Sequence, residues 1–215
     1  MQTIIRLLVF GGLLVSGATP QLGDELLYAV KSHNRALVSR LLEAGADVNH
    51  MNYGGYSALM IAAGDGEEEL VSLLLASGAL VDQLGHGNGY QTPMTEAVRN
   101  RQVRIVKILL LYGADVNKIP LGEPSPLHMA ASRGDANGDS EIVSVLIENN
   151  ADVNLQYQYD GGGYSPLAVA ARCGNPRIVS RLLRAGADVN SVENYGTTAL
   201  MLASCVPDNF FNDHG

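Results

Sequence analysis

Residues 113–131 read GADVNKIPLGEPSPLHMAA and contain two phrases that recur along the chain. The first phrase, GADVN, opens the stretch, and the second, SPLH, follows at 125–128. Gly113 suits the left-handed conformation that ends many helices. Ser125 suits the residue before a helix, where its side-chain oxygen accepts from a free N–H group, and Pro126 suits the first helical position. The stretch therefore predicts the end of one helix and the capped start of the next.

Both phrases recur at a nearly constant spacing. The Ser, Thr or Asp at each expected helix start follows the previous one by 33 residues, except for one gap of 35 and one of 40. A second helix, rich in Leu, carries an apolar pair thirteen residues after the start, or seventeen in the third full repeat. The expected starts are Asp24, Ser57, Thr92, Ser125, Ser165 and Thr198, and the closing phrases begin at Gly45, Gly78, Gly113, Asn150 and Gly186.

A 33-residue period with these two phrases resembles the ankyrin repeat. The resemblance covers about residues 24–205 and implies an all-α solenoid with short β-hairpin fingers, of about six repeats with the last incomplete. It divides the chain into an N-terminal capping repeat at 19–53, four repeats at 54–193 and a partial repeat or truncated end at 194–215. It also implies that His128, in the SPLH phrase, ties neighbouring backbone segments together.

Seven of the nine tyrosines lie between a closing phrase and the next helix start. These segments are the expected fingers, and the spacing lengthens two of them, at 83–91 and 155–164. Insertions in solenoids often lie on the binding face, and tyrosine gives a large contact area at low entropic cost. For Tyr56, Tyr90 and Tyr164 the alternative is packing on a neighbouring repeat. The candidate partner-binding residues are Tyr53, Tyr56, Tyr90, Tyr157, Tyr159, Tyr164 and Tyr195.

The N-terminal residues do not belong to a repeat. A basic residue, Arg6, precedes an apolar run at 7–15 and then small residues, which is the pattern of a signal peptide at 1–18 cleaved after Ala18. We therefore expect an exported chain, periplasmic or secreted, with no membrane span in the mature form. An apolar helix capping the first repeat of a cytoplasmic protein is the alternative.

The last repeat has only one expected helix, from Thr198 to Cys205. Two interpretations of the residues beyond it stay open. Phe210 and Phe211 either fold back over that helix, or they belong to a truncated reading frame.

An acidic run at 65–69 aligns with basic residues one repeat later. Glu69 and Arg104 hold equivalent positions in consecutive repeats, which predicts charge pairing across repeats on a solvated surface. A basic docking site at 99–107 is the alternative, weakened by its acidic neighbour.

Composition and motif spacing favour binding over catalysis. The net charge of -8 repels phosphate backbones, so no nucleic acid is expected as a partner. The two cysteines and five histidines show no metal-ligand spacing, and we assign no catalytic residue, cofactor or metal. We expect a monomeric scaffold, inhibitor or effector that binds a protein partner through its fingers and concave helices. The alternative is an enzyme with acids and bases in the concave groove, and the candidates for it are Asp82, His86, Asp115, Asp152 and Asp160.

Overall fold

The computed structural model describes residues 19–86, 91–119, 123–133, 139–159, 162–193 and 196–204. These ranges contain five helix pairs and one further helix. The pairs are α1 (Thr19–Lys31) and α2 (Arg35–Glu43), α3 (Ala58–Asp65) and α4 (Glu68–Ala76), α5 (Pro93–Arg99) and α6 (Val103–Leu111), α7 (Pro126–Ala131) and α8 (Asp139–Glu148), and α9 (Pro166–Arg172) and α10 (Pro176–Arg184). The last helix is α11 (Ala199–Ser204), and a hairpin of β1 (Tyr157–Tyr159) and β2 (Gly162–Tyr164) precedes α9.

The helices stack as a solenoid. The first helix of each pair packs on the first helices of the neighbouring repeats, and the second helices from α4 to α10 pack on one another in the same way. One aliphatic core runs through the stack and contains residues from every repeat. The predicted all-α repeat solenoid with short β-hairpins is confirmed.

The first helices begin where the sequence predicts, with one exception. Ser57 Oγ accepts from the N–H of Met60 at 3.3 Å, and Ser165 Oγ accepts from the N–H of Ala168 at 3.2 Å. Thr92 forms a full capping box with Thr95. These bonds satisfy N–H groups that the first helical turn otherwise leaves free. Residues close by in sequence therefore stabilise each of these helix starts.

The exception is Asp24, for which the expected helix start is wrong. α1 begins at Thr19, five residues earlier, so Asp24 lies inside the helix. The extra residues of this helix bring Leu22 against the core. The Asp24 carboxylate instead lies 2.9 Å from Nε2 of His50, on the segment after the first closing phrase.

Each pair ends in a left-handed residue, as predicted. The closing Gly45 and Gly186 have φ of 86° and 92°, and Asn150 takes the same region with φ of 66°. A Cβ is costly there for most residues, and Asn tolerates it better than other non-glycine residues. The single Gly-to-Asn exchange in the repeat therefore preserves the turn.

Ion pairs join consecutive second helices, although their partners differ from the predicted ones. Arg104 pairs with Glu68 at 3.2 Å, whereas Glu69 pairs with Arg35 of the preceding repeat. Lys107 pairs with Glu141 at 2.8 Å. The predicted charge pairing across repeats is thus present, shifted by one residue. Such exposed pairs add little stability each.

Some predictions concern residues that the structure does not describe. Among these residues are the signal peptide at 1–18 and the segment after residue 204. Cleavage after Ala18 stays a prediction. Among the helices described, none combines the length and the hydropathy that a membrane crossing requires.

Candidate functional site

A ladder of asparagine side chains holds the closing phrases of successive repeats together. Asn117 Oδ1 accepts from the N–H of Asp152 at 2.8 Å, and its Nδ2 donates to Asn150 O at 3.3 Å. Both bonds cross from one repeat to the next. The same two bonds link Asn49 to Leu80 and Gly78, and Asn154 to Asp188 and Gly186. The fingers therefore rise from a base with fixed spacing, which preorganises any surface they form.

The aspartates of the closing phrases also stabilise the backbone from which the fingers project. Asp115 and Asp152 accept from the backbone N–H two residues ahead, each at 2.9 Å. Asp82 accepts from the N–H of Asp115 across the repeat boundary at 3.0 Å. Of the other two candidate acids and bases, His86 is exposed and Asp160 lies outside the described residues. The aspartates therefore have structural roles, which argues against the enzyme alternative.

The longest finger is a hairpin whose inner side packs on α7. Tyr157 lies directly opposite Tyr164 in the antiparallel register, so both side chains project from one face. The Tyr157 ring lies 5.9 Å from the His128 ring, centroid to centroid, with the planes tilted by 56°. Tyr164 packs against the core and is half-buried. These two tyrosines therefore stabilise the finger as well as contributing to its surface.

His128 ties that finger to the start of α7, as the resemblance implied. Its Nε2 lies 2.8 Å from Tyr164 O, and its Nδ1 lies 2.7 Å from Ser125 Oγ. A carbonyl oxygen only accepts, so Nε2 carries the proton and Nδ1 accepts from the hydroxyl. Burial lowers the pKa of His128, because the charged imidazolium would lose its hydration there; the hydrogen bond to Tyr164 O opposes this shift.

Glu193 makes a second tie of this kind at the next finger, and sequence reasoning missed it. Its carboxylate accepts from the N–H of Ser165 at 3.0 Å and from the Ser165 hydroxyl at 2.8 Å. Burial raises the pKa of Glu193, while the bonds from Ser165 lower it. The start of α9 is thus fixed from the following repeat, through a contact 28 residues away in sequence.

The candidate tyrosines differ in how much surface they offer. Tyr53 is fully exposed in the first finger, where Met51 bridges to Ser57, and Tyr56 in the same finger is half-buried. Tyr159 lies in β1, but its side chain is outside the described set. Tyr90 and Tyr195 are outside the described residues altogether. Tyr53 is therefore the candidate whose free surface is best defined.

Three arginines lie at the carboxyl ends of the first helices, and of these only Arg99 belonged to a predicted site, the alternative basic docking site at 99–107. Arg172 ends α9 and places its guanidinium 5.3 Å above the centre of the Tyr164 ring. Arg99 ends α5, and Arg133, just after α7, donates to its backbone carbonyl. We call these three residues the groove arginines. They stand seven or eight residues after a helix start, a recurrence that alignment of the repeats could have revealed.

Arg99 also meets two carboxylates. Its guanidinium lies 3.2 Å from Glu96 and 3.7 Å from Glu123. Burial raises the pKa of Glu96, the Arg99 charge lowers it, and the Glu123 charge raises it again. The positive charge is consequently best available at Arg172, which is exposed and stacked on an aromatic ring.

Two cavities lie away from the fingers. One lies between α2 and α4, where Leu42 and Leu73 line it together with Val48 of the first closing phrase, and the other lies beside α11. Within the described ranges, no three histidine, cysteine, aspartate or glutamate side chains group as metal ligands would. The site defined by geometry is thus a row of fingers and helix ends.

This arrangement defines a class, the helical-repeat solenoid that presents a row of projecting loops. A family model described as ankyrin repeats (3 copies) matches residues 26–119 and 127–210. The chain belongs to the ankyrin repeat family. Ankyrin repeats generally serve as protein–protein interaction modules.

Several curated proteins are similar to this chain over most of its length. The B-cell lymphoma 3 protein homolog of Mus musculus is 31% identical over 79% of this chain and 37% of its own length. The putative ankyrin repeat protein FPV031 of fowlpox virus is 34% identical over 74% of this chain and 46% of its own. The probable E3 ubiquitin-protein ligase XBOS33 of Oryza sativa is 32% identical over 94% and 37%. The chain thus spans less than half the length of each of these three relatives. Their names describe different proteins, so the shared repeats do not point to one activity.

Proposed function

We propose that the chain is a non-catalytic binding module, a scaffold, inhibitor or effector, that holds a protein partner on its finger face. The finger face comprises Tyr53, Tyr164 and the three groove arginines. The observation that carries the proposal is the fully exposed Tyr53 in a finger that the asparagine ladder anchors. A large exposed aromatic side chain on a rigid backbone loses little conformational entropy on binding. Protein interfaces use such side chains for this reason.

The size of this face favours a macromolecular partner. The fingers that carry Tyr53 and Tyr164 are three repeats apart, and packed helices lie about 8–10 Å apart, so the two side chains are separated by roughly 24–30 Å. A ligand of drug size fills one enclosed pocket instead. A folded protein or an extended segment of one reaches both ends of the face.

The chemistry of the face also favours protein. Tyrosine and arginine are enriched where protein interfaces bind most strongly. Arg172, stacked on Tyr164, offers a preoriented cation beside an apolar ring. An acidic side chain of the partner would pair with the Arg172 guanidinium, and an aromatic one would pack on the Tyr164 ring.

Replacing Tyr53 with alanine is expected to weaken binding of the captured partner about tenfold or more, because an exposed interface tyrosine loses its whole contact area. The melting temperature should not move, since the side chain of Tyr53 has no burial to lose. Titration calorimetry with the partner recovered by affinity capture, together with thermal unfolding of the free variant, measures both quantities.

Tyr112→Ala provides the matched control. Tyr112 follows α6, the second helix of its repeat, and is 46% exposed. Its loss should leave the affinity unchanged. Equal weakening by both variants, or none by Tyr53→Ala, would place the interface elsewhere.

A further inference from the structure

Two arginines hold the same position of the repeat but have different surroundings. Arg99 and Arg172 each stand seven residues after the start of a first helix. Two carboxylates neutralise the first of them, because the Arg99 guanidinium lies 3.2 Å from Glu96 and 3.7 Å from Glu123. The array therefore supplies Arg99 with its own anionic partners.

Neither of these carboxylates has a counterpart beside Arg172. Val169, which is 7% exposed, holds the position of Glu96, three residues before the arginine. Gly196 holds the position of Glu123, two residues before the start of the next first helix. Within the part of the chain that the structure describes, no carboxylate forms an ion pair with Arg172. The described residues therefore leave the positive charge of Arg172 without an anion.

Glu193, the buried acidic residue of the finger that follows, is engaged elsewhere. Its two carboxylate oxygens accept from Ser165, one from the N–H at 3.0 Å and the other from the hydroxyl at 2.8 Å. Glu193 is only 5% exposed, whereas Arg172 is exposed to solvent. The guanidinium therefore remains open to an anion from another molecule.

The Tyr164 ring orients the Arg172 guanidinium for a planar ligand. The guanidinium carbon lies over the ring, 5.3 Å from its centre, which is within the range where a cation and an aromatic face attract each other. Because Tyr164 packs against the core, the ring is a stable support. A guanidinium that stacks in this way still donates from its edge, where two parallel N–H groups match the two oxygens of a carboxylate.

We propose that Arg172, supported by Tyr164, binds an aspartate or glutamate side chain of the protein partner. This inference rests on the proposed function, because it assigns the chemistry of the partner at one end of the finger face. Of the two kinds of side chain that fit there, the comparison with Arg99 favours the acidic one. The carboxylate of the partner takes the place that Glu96 and Glu123 hold beside Arg99.

The overall charge of the chain limits how many acidic residues the partner brings. The chain has a formal net charge of -8, so a run of acidic residues would be repelled at long range. The attraction at Arg172 is local, because it acts through hydrogen bonds at the edge of one guanidinium. The segment that binds therefore carries one acidic residue among neutral ones.

Selection of a phage-displayed library of random peptides on the full chain tests the inference. The unmodified protein should enrich peptides with one aspartate or glutamate among neutral residues, and Arg172→Ala should lose this preference. Arg184→Ala is the matched control, because Arg184 ends α10, the second helix of the same repeat, and is also exposed. The control should enrich the same acidic peptides as the unmodified protein.

A synthetic copy of one enriched peptide then locates the contact. Replacing its acidic residue with the corresponding amide should weaken binding to the unmodified protein about tenfold, because one charge-assisted interaction is lost. The same replacement should not change binding to Arg172→Ala, since the interaction that it removes is already absent there. Titration calorimetry measures the four affinities.

Three results would overturn the inference. These are enrichment of peptides without an acidic residue by the unmodified protein, unchanged enrichment of acidic peptides by Arg172→Ala, and an amide replacement that weakens binding to both proteins equally. Selection of no peptide by the unmodified protein would instead contradict the proposed function itself, and the inference with it.

Discussion

Replacing Leu109 with alanine is expected to lower the free energy of unfolding by about 2–5 kcal/mol. Leu109 lies in α6, in the middle of the array, and is fully buried in the continuous core. The stability of a solenoid is approximately a sum of repeat terms and interface terms between neighbours. A cavity at this position therefore weakens both interfaces of the central repeat, and chemical denaturation measures the loss.

Leu111→Ala is the matched control, because it makes the same change two residues further along α6. Leu111 is 84% exposed, so its truncation should change the free energy of unfolding by no more than about 0.5 kcal/mol. Similar losses for Leu109→Ala and Leu111→Ala would mean that the helix is rotated relative to the core described here.

The second large effect is expected from His128→Ala, at roughly 2–4 kcal/mol of unfolding free energy. The variant leaves Tyr164 O and the Ser125 hydroxyl without their buried partner and opens a void under the Tyr157 ring. His86→Ala, at an exposed histidine of another finger, is the control and should be nearly neutral. A nearly neutral His128→Ala would show that the finger is held by other contacts.

His128 also predicts a pH dependence. Burial lowers its pKa in the folded state below the ordinary value of 6.5, so the unfolded chain takes up the proton first. Stability is then lost as the pH falls through 6.5, at up to about 1.4 kcal/mol per pH unit for one proton. The buried Glu96 and Glu193, whose pKa values are raised, act in the opposite direction and at lower pH.

Comparing the unmodified protein with His128→Ala isolates the contribution of His128 to this pH dependence, because every other group titrates in both proteins. Denaturation at several pH values should show that the stability difference between the two proteins shrinks below pH 6.5. A constant difference over that range would contradict a neutral, buried His128.

The sequence predicted the features that neighbouring residues determine. Ser57 caps a helix through an N–H three residues ahead, and Gly45 needs only its own φ to close a turn. The 33-residue period then implied the stacking, because each repeat can bury its apolar face only against another. The wrong start at Asp24 arose because the period was extended to a helix that is longer than the other first helices and begins at Thr19.

Contacts between repeats were harder to predict. Arg133 reaches a carbonyl 34 residues away, and Glu193 reaches back 28 residues to Ser165. The period alone does not predict either hydrogen-bond partner, because a long side chain can reach several residues on the adjacent repeat. The shift from the expected Glu69 to Glu68 as the partner of Arg104 has the same origin.

For the finger tyrosines, the sequence predicted the position in the chain but not the exposure of the side chain. Their segments were predicted from the spacing, but the exposure of each ring depends on what the neighbouring repeat places beside it. Tyr157 has the His128 ring at 5.9 Å, whereas Tyr53 has its whole side chain in solvent. The binding role of the tyrosines, with the finger face around them, stays a prediction that only a partner can test.

The most direct test is photo-crosslinking with a benzophenone amino acid placed at position 53, and at position 112 as the control. Binding on the finger face predicts that one protein from the native cell extract crosslinks at position 53 and not at position 112, and that excess unlabelled chain suppresses the product. Crosslinking of that protein at position 112 alone, or of no protein at position 53, would contradict a partner held by the fingers.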